Sequence, residues 1–250
     1  MMWRLCRCLL AALLLLSQSS IAETAPIVRI GLDPWPPFSG QGLPDLGMSA
    51  EIVSRVFKEA GYQAEIVIQP WSRVEASVRS GDLEVMGNLY YIDDIAKWAD
   101  YSTPYYRSRV RFVALRDRHI HWKTLSDLKP YEIGVGNGYS FGDVFDRDAG
   151  LKKHLIPLTS NGMRMILMGR LDLVIDSEEV IYYHLAHDFA ADAKNFEVLD
   201  TPVIVQPMSI GVSKTNPHGR QLIGDFNAAF AKLWKDGTIQ EIIHRHVPQL

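Results

Sequence analysis

Strands and helices alternate along this chain, and glycines follow the helices. Residues 48–60 carry their apolar side chains on one helical face, and Gly61 follows at the position of a C-terminal cap. The apolar stretches 27–32 and 64–68 flank this helix and are typical of strands. Such an order favours a mainly parallel sheet that helices cover on both faces. The chain is therefore predicted to have an α/β fold.

The same order begins again in the second half of the chain. Strands are predicted over 131–135 and 171–175, and helices over 163–168 and 178–187. No flexible linker separates the two series, and 250 residues are enough for two lobes. We therefore expect two Rossmann-like α/β lobes with a cleft between them.

Local signals predict further element boundaries. Thr124 and Thr238 each precede an acidic residue by three positions, which is the pattern of a capping box at a helix start. A strand is predicted over 83–87, and a helix is predicted to open near Ser140 after a glycine turn.

The first 22 residues have the order of a secretory signal peptide. Arg4 and Arg7 are the only charges before an apolar run over 9–16, and small residues follow. The alternative is a transmembrane anchor, but the apolar run is far shorter than the roughly 20 residues that a span needs. We therefore expect residues 1–22 to be removed and the protein to be located in the periplasm.

Cysteine content, charge and histidines argue against several kinds of site. Cys6 and Cys8 both lie in the predicted signal peptide, so no disulfide and no thiolate site is expected in the mature chain. A formal net charge of −3 gives no basic surface for nucleic acid. His184 and His187 share a predicted helix but lack a convincing third metal ligand. No metal, no cofactor and no nucleic-acid partner is therefore predicted.

One segment has the letters of a catalytic motif. Residues 138–142 fit the pattern G-x-S-x-G of a hydrolase nucleophile elbow. A hydrolase would also need a later acid and histidine around one sheet, and two strand–helix series do not fit that architecture. No catalytic residue is predicted, and the chain is expected not to be an enzyme.

Eight short segments follow one another in a fixed order along the chain. They are DPWPPF (33–38), PWSR (70–73), GDLEV (81–85), DYSTPYY (100–106), LSDL (125–128), IGVGNG (133–138), GRLD (169–172) and DGT (236–238). Each segment alone is weak evidence. Their order and spacing make the chain resemble the bacterial periplasmic solute-binding proteins of amino-acid ABC importers, the polar-amino-acid class of extracellular solute-binding protein family 3.

The resemblance implies two α/β lobes that are joined by two hinge strands and close over a ligand in the cleft. Lobe 1 would comprise residues 23–111 and 203–250, and lobe 2 would comprise residues 112–202. The hinge strands would run near 111–115 and 203–209.

The resemblance also implies a function. The chain would capture a small polar, amino-acid-like solute and deliver it, as a monomer, to an inner-membrane ABC permease. Two alternatives stay open. The partner could be a membrane-bound sensor, or the chain could be a periplasmic dehydratase on the same fold with Asp176 or Glu178 as general acid.

On lobe 1, the resemblance points to aromatic and polar ligand contacts. Trp35 and Trp71 match the two aromatic residues that sandwich the ligand, although each could instead pack in the core. Asp33 directly follows the first strand, and it could accept a hydrogen bond from a ligand amine or organise the proline loop. Gly87 and Asn88 close the third predicted strand, so they either face the cleft or form a plain turn.

One arginine of the family pattern is missing. Relatives that bind α-amino acids usually carry an arginine that holds the ligand carboxylate by two hydrogen bonds. Its position falls on Asp94 or Ile95 in this chain. Arg73, two residues after Trp71 at a helix start, is the candidate replacement, with a plain surface role as the alternative. If Arg73 does not serve, the missing arginine indicates a different class of solute.

Lobe 2 offers a glycine turn and an acid. Gly138, Tyr139 and Ser140 match the family's glycine turn, whose backbone N–H groups can hold a carboxylate. Asp176 ends a buried strand and matches the acid that receives a ligand ammonium, with Ser177 as the alternative if the register shifts by one. The predicted ligand site therefore comprises Asp33, Trp35, Trp71, Arg73, Gly87, Asn88, Gly138, Tyr139, Ser140 and Asp176.

Overall fold

Strands and helices alternate over residues 25–247, the part of the chain that the computed structural model describes; the predicted signal peptide lies outside it. None of the helices in this part is long and apolar enough to cross a membrane. The strands are β1 (Ile27–Leu32), β2 (Gln63–Ile68), β3 (Val85–Tyr90), β4 (Ala99–Tyr101), β5 (Tyr106–Leu115), β6 (Glu132–Gly136), β7 (Lys152–Ile156), β8 (Leu173–Ser177), β9 (Phe196–Val198) and β10 (Ile204–Ser213). The α-helices are α1 (Met48–Glu59), α2 (Trp71–Ser80), α3 (Asp93–Ala96), α4 (Asp143–Asp146), α5 (Thr159–Leu167), α6 (Glu178–His187), α7 (Gly219–Lys235) and α8 (Thr238–His246).

The strands form one mixed sheet in the order β2-β1-β3-β10-β5-β8-β6-β7, with β4 paired to β10 and β9 paired to β5. β1 is parallel to β2 and β3, and β6 is parallel to β7 and β8. Between these two parallel groups, the ten-residue strands β5 and β10 pair with each other antiparallel. The fold is therefore the predicted one, with two α/β lobes joined by two extended strands.

Apolar cores lie on both sides of the two long strands. On the lobe 1 side, α1 buries its apolar face against α7, and the ring centroids of Phe57 and Phe226 are 5.3 Å apart. On the lobe 2 side, Phe112 of β5 packs against Phe145 with ring centroids 6.0 Å apart. Full burial of each such ring contributes roughly 1.5–3 kcal/mol to stability.

The structure corrects two predicted boundaries near the cleft. β3 covers Val85–Tyr90 rather than 83–87, so Gly87 and Asn88 lie within the strand and do not close it. The helix predicted to open near Ser140 is α4, which begins three residues later and has only four residues. A helix this short has no N-terminal dipole of consequence for binding an anion.

One of the two predicted capping boxes is present. The Asp127 carboxylate accepts the Thr124 backbone N–H at 2.9 Å, and the Thr124 side chain completes the motif at the start of a short 3₁₀ helix. The prediction at Thr238 is wrong, because Gly237 is the N-cap of α8 and has no side chain to contribute.

Candidate functional site

A small cavity lies in the cleft, where residues of both lobes meet. Its volume is about 40 Å³. Well-formed small-molecule sites usually measure roughly 300–1,000 Å³, so the lobes are closed closely against each other here. The cavity is lined by Asp33, Trp35, Trp71, Asn88, Tyr90, Ile92, Gly138, Tyr139, Ser140 and Phe141.

On lobe 1, polar side chains meet at the carboxyl ends of β1 and β3. Asp33 directly follows β1 and is 3% exposed. Asn88 donates to Asp33 Oδ1 at 3.4 Å and to Ser39 Oγ at 2.7 Å. Asn88 has φ of 52°, in the left-handed region that asparagine tolerates better than most residues. The side-chain amide of Asn88 therefore lies beside Asp33 at the point where this φ bends β3.

Hydrogen bonds join the two lobes across the cleft, and two of them join an aromatic donor of one lobe to a carboxylate of the other. The Tyr139 hydroxyl of lobe 2 donates to Asp33 Oδ2 at 2.8 Å. The Trp35 indole Nε1 of lobe 1 donates to Asp176 Oδ1 at 3.2 Å. Thr159 at the start of α5 also donates to Asp176, and so does the Ser177 backbone N–H.

Both of these carboxyls are buried without a cation. Burial raises the pKa of the Asp176 carboxyl to about 7 and raises the pKa of the Asp33 carboxyl above its ordinary value. Their hydrogen-bond donors are neutral side chains and one backbone N–H. Among the described residues, no lysine or arginine lines the cavity. The cleft therefore carries two acids whose ionised forms lack a positive partner.

Two polar groups of the glycine turn of lobe 2 donate hydrogen bonds to Asp146 of the same lobe. Ser140 Oγ donates to Asp146 Oδ2 at 2.6 Å, and the Phe141 backbone N–H lies 3.1 Å from Asp146 Oδ1. Gly138 has φ of 80°, a conformation that favours glycine, and a Cβ at this position would lie 3.8 Å from the Trp71 ring. The turn therefore faces Trp71 across the cleft, while two of its donors are taken by the chain's own carboxylate.

Most of the predicted site residues come together at this cavity, but three do not line it. Asp176 lies next to it, behind Trp35. Gly87 faces away from it, because a Cβ there would lie 2.3 Å from Leu32 Cδ2. Arg73 is exposed on α2 and is absent from the lining. The residues that do line the cavity are Asp33, Trp35, Trp71, Asn88, Gly138, Tyr139 and Ser140.

The position of the missing family arginine supplies no cation to the cavity. Asp94 is highly exposed and forms an ion pair with Lys97 at 2.5 Å. Ile95 is buried in an apolar cluster. In lobe 2, the sequence left Asp176 and Ser177 as alternatives for one ligand contact. The Asp176 carboxylate accepts a hydrogen bond from Trp35, whereas the Ser177 hydroxyl pairs with the Tyr90 hydroxyl at 2.7 Å.

The sequence reasoning missed several residues at the site. Tyr90 and Ile92 line the cavity and continue from Asn88 at intervals of two residues, so strand alternation would have placed them on the same side. Phe141 follows directly on the predicted turn. Thr159, which contacts Asp176 from α5, carries no signal in the sequence that would link it to the strand β8.

A third acid, at the hinge, has cationic partners. Glu178 is buried at the start of α6, and its carboxylate lies 2.6 Å from Arg109 Nε and 2.8 Å from Arg111 Nε. Both arginines come from β5, so this pair of ionic contacts ties the hinge strand to α6. Glu178 therefore serves the contact between β5 and α6, and it is not among the residues that line the cavity.

One cluster outside the cleft has side chains within reach of a metal ion. Asp45, Glu51 and His246 place ligand atoms within 4.8 Å of one another. The Arg245 guanidinium lies 2.7 Å from Glu51 and 4.0 Å from Asp45. Because a cation already pairs with these acids, the arrangement is that of a surface ion-pair cluster.

Comparison with known proteins identifies the family. The model of the bacterial extracellular solute-binding proteins, family 3, matches residues 28–249. The chain belongs to this family. The resemblance inferred from the sequence and the predicted function as a solute-binding protein are thereby confirmed. The family is one of extracellular binding proteins rather than enzymes.

Individual relatives agree with this assignment. L-cystine-binding protein TcyJ of Escherichia coli (strain K12) is 26% identical over 219 residues, which cover 85% of this chain and 79% of that protein. An ancestral arginine-binding protein bound to arginine has a TM-score of 0.75 at 22% identity, over 89% of this chain and 99% of that chain. A histidine kinase sensor domain with similarity to periplasmic binding proteins has a TM-score of 0.75 at 20% identity, over 88% of this chain and 95% of that chain. The structural matches show the fold.

Proposed function

We propose that this family member captures a small, amino-acid-like solute through its protonated amine and delivers it, as a monomer in the periplasm, to an inner-membrane ABC permease. Residues 23–111 with 203–250 would form one lobe, and residues 112–202 the other. The observation that carries the proposal is a pair of buried acids with neutral donors: Asp33 lines the cavity from one lobe, and Asp176 lies next to it, behind Trp35, in the other.

An ammonium group would complete the surroundings of these acids. Each carboxylate oxygen can accept more than one hydrogen bond, and a charge-assisted bond to an ammonium is about twice as strong as a neutral one. The aromatic walls Trp35, Trp71 and Tyr90 suit the same ligand, because ring faces attract cations and offer rigid apolar surface to its carbon chain.

A carboxylate on the ligand has no evident partner. The position of the family arginine falls on Asp94 or Ile95. Asp94 is exposed and paired with Lys97, and Ile95 is buried and apolar, so neither supplies a cation to the cavity. Arg73 is exposed on α2. The hydroxyl of Ser140 is used by Asp146. These three features favour a ligand that is bound through its amine and does not depend on a carboxylate.

Matched pairs of solutes test this proposal. Agmatine is arginine without its carboxylate, and cystamine is cystine without both of its carboxylates; arginine and cystine are named ligands of relatives of this chain. In thermal unfolding, we expect the amine of a pair to raise the melting temperature at least as much as the amino acid. A solute at 100 times its dissociation constant adds about 2.7 kcal/mol of stability. Stabilisation by the amino acids alone would contradict the proposal.

A sensory role is the second candidate, because the fold matches a histidine kinase sensor domain. Transport and sensing differ in what the cell does with the solute. Deletion of the gene should abolish uptake of a radiolabelled solute that the protein binds. Unchanged uptake together with a lost transcriptional response would favour the sensor.

A further inference from the structure

The Tyr139 side chain fills the middle of the cleft. Its ring packs against the apolar cores on both sides of the cleft. It meets the Trp35 ring edge-on with centroids 5.9 Å apart, and its hydroxyl donates to Asp33 at 2.8 Å. A residue of lobe 2 thus occupies the carboxylate that lobe 1 offers to a ligand.

Two glycines, Gly136 and Gly138, allow the Tyr139 ring to take this position. A Cβ at Gly136 would lie 2.6 Å from Tyr139 Cδ2, closer than such atoms approach each other. Gly136 is therefore required for the observed position of the ring. Gly138, with its positive φ, makes the turn that directs residue 139 back into the cleft. The two glycines and the tyrosine form one unit, which we call the Tyr139 plug.

The space that the plug leaves is too small for an amino-acid-like solute, since the cavity volume of about 40 Å³ has room for only a few water molecules. A second space, about 340 Å³ in volume, also borders Trp35 and Tyr139 and is lined in part by Thr159 and Tyr183. A solute that reaches Asp33 from this cavity therefore meets the Tyr139 hydroxyl, which already donates to Asp33 Oδ2.

We propose that Tyr139 is an internal competitor: its hydroxyl donates to Asp33, the acceptor proposed for the ligand's amine, and this bond ties the two lobes together across the cleft. The competitor role extends the proposed function, whereas closure by Tyr139 does not depend on it. A closed state that excludes ligand lowers the apparent affinity, because only the fraction of molecules with a free Asp33 can bind. Tyr139 would thus set the solute concentration at which the protein responds.

Small-angle X-ray scattering without added solute tests closure, after unfolding and refolding have removed any solute that co-purifies. Y139F keeps the ring and removes the hydroxyl. We expect its radius of gyration to exceed that of the wild type, because loss of a hydrogen bond to a carboxylate shifts the closed–open equilibrium by about tenfold or more. Identical scattering from wild type and Y139F would overturn closure by Tyr139.

The chain offers a matched control. Tyr62 also donates its hydroxyl to a carboxylate, that of Asp225 at 2.7 Å, but both residues belong to the lobe 1 side. Y62F removes the same kind of bond without touching the cleft, so we expect wild-type scattering from it. An equal expansion in Y62F would show a general loosening and would overturn the assignment to Tyr139.

Gly136→Ala is a second, independent variant, which displaces the ring and keeps the hydroxyl. We expect it to expand the protein in the same way as Y139F. If it folds by circular dichroism and scatters like the wild type, the plug does not hold the lobes closed.

Titration with agmatine tests the competition. If Tyr139 competes for Asp33, Y139F should bind agmatine more tightly than the wild type, by up to about tenfold. Equal or weaker binding would make Tyr139 an ordinary ligand contact and overturn the competitor role. If neither protein binds agmatine or cystamine, the proposed function fails, and the scattering of Y139F still decides whether Tyr139 closes the cleft.

Discussion

The buried acids of the cleft and the buried Glu178 at the hinge have different partners in the fold. Glu178 faces two arginines of β5 at 2.6 and 2.8 Å. Asp33 and Asp176 are equally buried but receive hydrogen bonds only from neutral groups. Glu178 is thus paired with cations of the chain, whereas its buried neighbour Glu179 accepts hydrogen bonds from the Tyr106 and Ser108 hydroxyls. Of the acids with neutral donors, Asp33 is the one that lines the cavity, and this position supports a cationic ligand.

Glu178→Gln gives the largest expected effect on folding. The amide cannot balance the charge of Arg111, whose side chain is 15% exposed. Breaking a buried ion pair on one side costs about 3 kcal/mol of unfolding free energy or more. Urea unfolding measures this loss. The cleft counterpart Asp33→Asn should lose little or no stability, because it removes an acid that has no cation. Equal losses in the two variants would remove the distinction between hinge and cleft.

Asp33→Asn should instead act on binding. Without the carboxylate, an amine loses its charged acceptor on lobe 1, and we expect agmatine or cystamine to bind about 2 kcal/mol more weakly or worse. Calorimetric titration of both proteins measures the difference. An affinity that stays within a factor of two would show that Asp33 only organises the proline loop.

The fold was largely predictable because its signals are local. The apolar face of α1 and the glycines that follow the helices are visible in neighbouring residues. Two strands were not predicted. β4 has only three residues, and β7 lies at the edge of the sheet with most of its side chains exposed, so neither has an apolar pattern.

The site was predictable only in its separate parts. Asp33, Trp71 and Asp176 follow from strand ends and the family pattern. The bond between Asp33 and Tyr139 joins residues 106 positions apart, and no local pattern shows that a turn of one lobe reaches an acid of the other. The exposure of Arg73 likewise depends on how α2 packs on the sheet.

The pH dependence of binding sharpens the comparison at Asp176. Its pKa is raised by burial to about 7, whereas a free aspartate has a pKa near 3.9. Between these values the folded protein holds a proton that the unfolded chain has lost, so this group makes the ligand-free protein less stable as the pH rises through the window.

The affinity for an amine should instead rise with pH over the same window, because an ammonium needs the ionised form of Asp176. We expect the affinity for agmatine to fall by up to tenfold per pH unit below about pH 7. Calorimetry between pH 5 and pH 8 measures this dependence, with Asp176→Asn as control. An affinity of the wild type that does not change with pH, or the same pH dependence in the variant, would show that Asp176 does not bind the ligand's amine.

Trp71→Ala should have a smaller effect. Trp71 lines the cavity from the first turn of α2, so its removal should weaken binding by roughly 1 kcal/mol or more. Arg73→Ala, two residues along the same turn, is the matched control, and we expect it to change affinity by less than about 0.5 kcal/mol because Arg73 is exposed. A loss in Arg73→Ala that exceeds the loss in Trp71→Ala would restore Arg73 as the carboxylate partner.

The central claim is that the cleft binds a cationic ligand through Asp33 and Asp176, two buried acids whose hydrogen-bond donors are neutral groups. Agmatine and 5-guanidinopentanoate share a guanidinium and differ at the other end, where one carries an amine and the other a carboxylate. Calorimetric titration of the wild type with both compounds at pH 8 compares the two charges directly. The account predicts saturable binding of agmatine and at least tenfold weaker binding of the acid. Tighter binding of 5-guanidinopentanoate would contradict it.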